Sequence, residues 1–135
     1  MLRRIYFIVC AIFAFVGCNS APVSNQASTL GVDFGWTEKS GCSSISPPIK
    51  ITDIPEETKY LKVTMVDIDM PTYDHGGGEV TYNGTSTITE GTLKNYSGPC
   101  PPPGIEHTYE ITVQALSADK KIVIGQGKSI NKFSR

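Results

Sequence analysis

The sequence is poor in the side chains that most often carry out chemistry. Histidine occurs twice, at His75 and His107, and tryptophan once in 135 residues. Charge is almost balanced at a net −1, which argues against a nucleic-acid partner, because such proteins carry strongly basic surfaces. A G-x-S-x-G nucleophile elbow is absent. Since no nucleophile–base pair stands out either, we expect a protein that is not an enzyme and uses no cofactor.

The first 17 residues have the pattern of an export signal. Two arginines precede an apolar run from Ile5 to Val16, which is shorter than the roughly 20 residues that a membrane-spanning helix needs. The run ends at Gly17-Cys18, which resembles the lipobox of bacterial lipoproteins, where cleavage precedes a cysteine that becomes lipidated. We therefore expect residues 1–17 to be removed and Cys18 to carry lipid. An ordinary signal peptide with an incidental cysteine is the alternative.

A lipid at Cys18 would hold the protein at a membrane of the bacterial cell envelope. Asn19, rather than an aspartate, follows the cysteine, and in a host with two membranes the usual sorting pattern then favours the outer one. Residues 18–30 are small, polar and uncharged for the most part, a composition typical of flexible linkers. We predict a tether over 18–30 and one domain over 31–135.

Two cysteines remain in the mature chain. Cys10 would leave with the signal and Cys18 would carry lipid, which leaves Cys42 and Cys100. Exported proteins fold in oxidising surroundings, so this pair predicts a disulfide. Two separate buried thiols are the alternative.

The sequence of the domain predicts an all-β fold. Short runs rich in β-branched and aromatic residues alternate with Gly, Pro and Asn turns, and no amphipathic helix of three turns is evident. The longest run, Tyr60–Met70, is predicted to lie centrally. Thr108–Leu116 alternates cleanly, which places Tyr109, Ile111, Val113 and Ala115 on one face, predicted to point inward. Further strands are predicted at Val32–Thr37, Ile49–Thr52, Glu79–Asn83 and Lys121–Phe133. The pattern predicts an antiparallel, Greek-key-like β-sandwich with little helix.

Three proline- and glycine-rich segments resemble the phosphatidylethanolamine-binding protein family, and most closely its bacterial YbhB/YbcL branch. The resemblance covers roughly Phe34 to Phe133 and rests on the order and spacing of its motifs. The family's D-P-D-x-P motif appears here as Asp67-Ile68-Asp69-Met70-Pro71. Its G-P-x-P-P-x-G…H-x-Y motif appears as Gly98-Pro99-Cys100-Pro101-Pro102, then Gly104, His107 and Tyr109. Cys42 and Ser46-Pro47 match the family's cysteine loop and S-P pair.

The resemblance implies a small pocket that binds an anion, such as phosphate, a phospholipid headgroup or a phosphorylated group. Carried over by position, the pocket residues are Asp67, Asp69, His75, Gly98, Pro99, His107 and Tyr109. Prolines would hold a stiff wall, which lowers the ordering cost of binding. The aspartates would hold each imidazole in one tautomer, and imidazoles donate to phosphate oxygens.

The chain departs from the family's pattern beside the first histidine. His75 is followed by three glycines rather than a tryptophan, and we expect a pocket that is more open on that side. The family's C-terminal helix also has no counterpart, since Ser117–Lys121 leads directly into the last strand.

Other functions remain open at this point. An inhibitor or scaffold could dock a protein partner through the same face, and a structural envelope protein could keep a vestigial pocket. The two histidines could also be structural residues of turns. A metal site is not expected, because the histidines lack local ligand spacing.

Overall fold

The structure, a computed structural model, describes residues 20–135. The predicted signal at 1–17 and the predicted lipid attachment at Cys18 lie outside the described residues. Nine strands follow one another: β1 Val23–Thr29, β2 Gly31–Phe34, β3 Ile49–Thr52, β4 Tyr60–Asp67, β5 Asp74–Thr81, β6 Thr87–Ile88, β7 Asn95–Tyr96, β8 Glu106–Leu116 and β9 Val123–Ser134. Within 20–135 there is no helix, and hence none that could cross a membrane. The all-β prediction is confirmed.

The strands form two sheets. The large sheet has the order β1-β9-β8-β4-β5-β7, and the small one the order β2-β3-β6. The predicted central position of β4 is confirmed, because it pairs with β8 on one side and with β5 on the other. The family's C-terminal helix is replaced by a tight turn between β8 and β9, in which Lys120 N–H donates to the Ser117 carbonyl at 3.0 Å.

The core fills the space between the sheets. The predicted inward face of β8 is confirmed, since Tyr109, Ile111, Val113 and Ala115 are fully buried. They pack with alternate residues of β4 and with the small sheet: Leu61, Val63, Met65, Ile49 and Ile51. Each such aliphatic side chain contributes about 1.5–3 kcal/mol on burial.

Trp36, which follows β2 of the small sheet, packs against the large sheet near the start of β8 and the end of β9. The Trp36 ring packs edge-on against Tyr109 and Phe133, each at 5.6 Å between centroids. Its indole N–H donates to the Lys132 carbonyl at 2.7 Å. This anchor brings the following loop, which carries Cys42, to the same end of the molecule as the start of β8.

The predicted tether is wrong for its central part. Residues 23–29 form β1, which pairs with the last strand β9, and the Leu30 N–H donates to the Gln126 carbonyl at 3.0 Å. β1 runs parallel to β9, so the large sheet is mixed rather than purely antiparallel. The segment was misread because an exposed edge strand needs little apolar surface, and its partner lies about 100 residues away, beyond any local pattern.

Candidate functional site

The candidate site lies where β4 ends and β5 and β8 begin. Sharp turns fix these strand ends, because the Asp67 carboxylate accepts the N–H groups of Asp69 and Met70 at 2.9 and 3.0 Å. Asp67 also faces Tyr109 across the β4–β8 ladder. A cleft of about 360 Å³ opens at this point. Its lining is mainly apolar and consists of Asp67, Met70, Tyr73, His75, Cys100, Pro102, His107 and Tyr109.

Asp67 lies at the centre of the polar groups. Its side chain is 5% exposed, and its Oδ2 lies 2.7 Å from His107 Nδ1 and 4.0 Å from His75 Nε2. Burial alone would raise the pKa of this carboxyl. The hydrogen bonds from His107 and from the N–H groups of Met70 and Asp69 outweigh burial and hold its pKa below the usual range. Asp67 is therefore an anion at neutral pH.

The hydrogen bonds fix how each imidazole faces the cleft. His107 Nδ1–H donates to the Asp67 carboxylate, and His75 Nδ1–H donates to the Ser97 carbonyl at 2.8 Å. Each Nε2 atom is then a lone-pair acceptor in the neutral ring and a donor only in the protonated ring. An anion in the cleft would therefore accept a hydrogen bond from either imidazole only when that ring is protonated.

Tyr109 presents a buried polar group without a well-formed hydrogen bond. The side chain is fully buried, and its hydroxyl makes no hydrogen bond of normal geometry within residues 20–135, although the Asp67 carboxylate and the Cys100 backbone lie close to it. Burial raises the pKa of this phenol, and the neighbouring Asp67 carboxylate raises it further, so the hydroxyl keeps its proton. A buried donor without a well-formed hydrogen bond costs about 1–3 kcal/mol.

A rigid wall borders the cleft. The structure pairs Cys42 with Cys100, as predicted, and the two segments also share backbone hydrogen bonds. Cys42 N–H donates to the Pro99 carbonyl at 2.8 Å, and Gly98 N–H donates to the Ser43 carbonyl at 2.7 Å. A methyl group on Gly98 would lie 2.4 Å from the Ser40 carbonyl oxygen, so only glycine permits this close approach.

The structure brings together four of the seven predicted site residues: Asp67, His75, His107 and Tyr109 line the cleft. Asp69 lies beside it and accepts the Thr108 N–H at 2.6 Å, so it positions the start of β8. Pro99 is buried within the wall. Gly98 lines a smaller neighbouring hollow instead.

The glycines after His75 do not open the cleft, contrary to expectation. They lie within β5, where a methyl group on Gly77 would lie 2.0 Å from the Val63 carbonyl oxygen. They line a larger groove of about 700 Å³ on the outer face of the sheet. The imidazoles lie outside that groove, and its Lys120 and Glu79 pair with each other, so we place the chemistry in the smaller cleft.

Sequence reasoning missed Tyr73, which separates the cleft from the neighbouring hollow. Its ring lies 4.6 Å from the His75 ring, and its hydroxyl lies 3.2 Å from Ser97 Oγ. An aromatic residue two positions before His75 was the only available signal.

Comparisons with known proteins identify the family and the fold. The model of the phosphatidylethanolamine-binding protein family matches residues 20–79 and 74–135. No curated protein matches. Two solved structures share the fold: a homologue from Chlamydia trachomatis, CT736, and YbcL from Escherichia coli, described as a member of the mammalian family.

CT736 is 20% identical, with a TM-score of 0.58, over 82% of this chain and 99% of CT736. YbcL is 18% identical, with a TM-score of 0.57, over 83% of this chain and 96% of YbcL. These likenesses concern the fold, whereas the family model covers nearly all described residues. The chain therefore belongs to the phosphatidylethanolamine-binding protein family.

Proposed function

We propose that this chain is an exported, lipid-anchored binding module whose cleft takes a small phosphate-bearing anion without chemical conversion. The observation that carries the proposal is the pair of imidazoles, His75 and His107, which line one cleft beside the Asp67 carboxylate. Their Nε2 atoms supply two donors once the rings are protonated. Together they form a set of donors suited to phosphate oxygens.

The charge of the site makes anion binding depend on protons. With both imidazoles neutral, Asp67 gives the cleft a net charge of −1, which repels an anion. Binding therefore takes up a proton, and affinity should fall as the pH rises from about 5 to 8, where imidazoles lose their charge.

The composition of the cleft supports a non-catalytic role. Among the described residues that line it there is no serine, threonine or lysine, and Cys100 is held in the disulfide. A covalent mechanism of the serine, free-cysteine or lysine type would therefore lack its nucleophile in this cleft. The cleft residues are suited to holding a ligand rather than to attacking it.

The test is a titration of the full chain carrying Cys18→Ser, which removes the proposed lipid, with inorganic phosphate and phosphoethanolamine. NMR of the two imidazole rings should show saturable shifts at pH 6 and weaker binding at pH 8. His107→Ala should weaken binding roughly 10- to 100-fold, since a charge-assisted hydrogen bond is lost. Lys121→Ala, at the other end of the sheet, is the matched control and should bind normally. Rings that stay unperturbed at millimolar ligand would refute the proposal.

A protein partner is the second candidate, and the rim of the cleft favours it. Met70 and Tyr73 are 50% and 54% exposed beside the imidazoles, and neighbouring exposed apolar side chains mark candidate sites of protein contact. A phosphorylated peptide would place apolar side chains on them. Affinity for such a peptide at least tenfold above that for inorganic phosphate would support this second function, and equal affinities would exclude it.

A further inference from the structure

Because β1 pairs with β9, only a short stretch of chain connects the proposed anchor at Cys18 to the fold. Val123 N–H donates to the Pro22 carbonyl at 2.9 Å, so ordered pairing begins at Pro22. Residues 20–22 border a hollow with Lys120 and Lys121 of the β8–β9 turn. Pro22 lies four positions after Cys18, with three residues between them. Even fully extended, this stretch spans only about 14 Å.

The cleft lies at the end of the large sheet that is opposite to Pro22. Leu116, at the end of β8, pairs with Val123 near the anchored end, and His107 pairs with Phe133 at the cleft end. Nine residues of extended β8 separate Leu116 from His107, which corresponds to about 30 Å. The anchored end and the binding end are therefore about a sheet's length apart.

We infer that the anchored domain holds its cleft away from its own membrane, so that the cleft takes its phosphate-bearing ligand from the water rather than from headgroups of the anchoring bilayer. This inference rests on the proposed anchor and the proposed anion site. The stretch from Cys18 to Pro22, called the leash below, spans at most about 14 Å. This is shorter than the roughly 30 Å between the anchored end of the sheet and the cleft end. The cleft reaches the bilayer only if the domain tips onto its side.

The attachment point, rather than the surface of the domain, sets the orientation. Exposed apolar side chains lie at both ends: Val23 and Ile122 at the anchored end, and Met70 and Tyr73 beside the cleft. Charge attraction does not contribute, because the basic and acidic residues of the anchored end nearly cancel: Lys59, Lys120 and Lys121 against Glu56, Glu57, Glu79 and Asp119. Only the anchored end is held at the interface by the lipid, so this end meets the membrane first.

The first experiment measures orientation in the acylated full chain on vesicles of phosphatidylethanolamine and phosphatidylglycerol. Fluorophores are attached through Ala118→Cys, in the β8–β9 turn, or through Pro103→Cys, beside the cleft; both positions are exposed. Energy transfer to an acceptor at the lipid surface should be strong from position 118 and weak from position 103. Equal transfer, or stronger transfer from 103, would overturn the inference.

The second experiment asks where the ligand comes from. Glycerophosphoethanolamine is titrated against the acylated protein on the same vesicles and against the soluble Cys18→Ser chain. The apparent Kd should agree within about twofold. If headgroups of the anchoring bilayer filled the cleft, they would compete, and the acylated protein would bind at least tenfold more weakly.

A lengthened leash supplies the positive control. Thirty Gly and Ser residues inserted between Ser20 and Ala21 would span about 30 Å on average and allow the cleft to reach the surface. In that variant the acylated protein should show the competition that the natural leash prevents. The failures are separable: no binding by the Cys18→Ser chain refutes the anion site, its retention in the membrane fraction refutes the anchor, and competition at natural leash length refutes only the orientation.

Discussion

The two ends of the large sheet are stabilised by different kinds of polar contact. At the cleft end, Asp67 and His107 form a pair whose side chains are 5% and 14% exposed, backed by a disulfide. At the other end, Lys120 and Glu79 form a pair whose side chains are 46% and 35% exposed. Water screens exposed pairs and leaves buried ones strong. The rigidity of the molecule is therefore concentrated where the proposed ligand binds.

Removing the disulfide should give the largest loss. Cys42→Ser with Cys100→Ser releases a crosslink between residues 58 apart, which the chain-entropy model values at about 4 kcal/mol. Urea denaturation of the oxidised protein and the double variant measures the difference. A loss below about 1 kcal/mol would show that the backbone hydrogen bonds alone hold the wall.

Asp67→Asn should come second, with a loss of about 2–3 kcal/mol, because a buried charged acceptor of three donors becomes neutral. Chemical denaturation at pH 7 measures it. Glu79→Gln, at the exposed pair, is the matched control.

The acid dependence of this difference gives a further check. Because the folded pKa of Asp67 lies below its ordinary value of 3.8, its contribution is complete above that pH and is lost as the pH falls through the folded pKa. The gap between wild type and Asp67→Asn should be constant from pH 7 to about pH 5 and shrink below about pH 4. A gap that widens in acid would contradict the assigned direction.

Gly98→Ala should destabilise the protein by about 2 kcal/mol, because its methyl group would meet the carbonyl oxygens of Ser40 and Ser43 at 2.4 and 2.8 Å. Gly35→Ala is the control, since a methyl group there meets no atom within 4 Å. Thermal midpoints of the two variants measure the contrast. Equal midpoints would mean that the segments around Gly98 move apart at little cost in free energy.

Glu79→Gln should have the smallest effect. The Glu79 carboxylate raises the pKa of Lys120 through a hydrogen bond, but the ammonium is exposed to solvent. We expect a thermal midpoint that is indistinguishable from wild type at physiological salt. A clear decrease would place part of the rigidity at the end of the β8–β9 turn and weaken the contrast between the two ends.

Local pattern predicted some strands well and others not at all. Ile49–Thr52 was predicted with both ends correct, because alternating apolar residues follow two prolines there. β4 ends at Asp67 rather than Met70, since the Asp67 carboxylate caps a turn that side-chain alternation does not encode. β5 starts at Asp74, earlier than predicted, because glycines that look like a turn instead allow close pairing with β4 and β7.

The candidate site depended on resemblance rather than on periodicity. Asp67 and His107 lie 40 residues apart, and only the pairing of β4 with β8 brings them within 2.7 Å. No spacing rule for a single strand predicts that contact. The orientation of His75 also escaped prediction, because its partner is a backbone carbonyl, which any residue provides.

The pairing of β1 with β9 also bears on how the chain folds. Val23 pairs with Val123, so β1 cannot form its backbone hydrogen bonds until β9, about 100 residues later, has been synthesised. Loop closure over about 100 residues slows this step, and such non-local pairing is typical of slow-folding β proteins. Until β9 arrives, β1 and the open side of β8 remain as unpaired edges that can pair with other chains. Aggregation should therefore be most severe in chains truncated just before Val123, although every residue of the candidate site is already present in them.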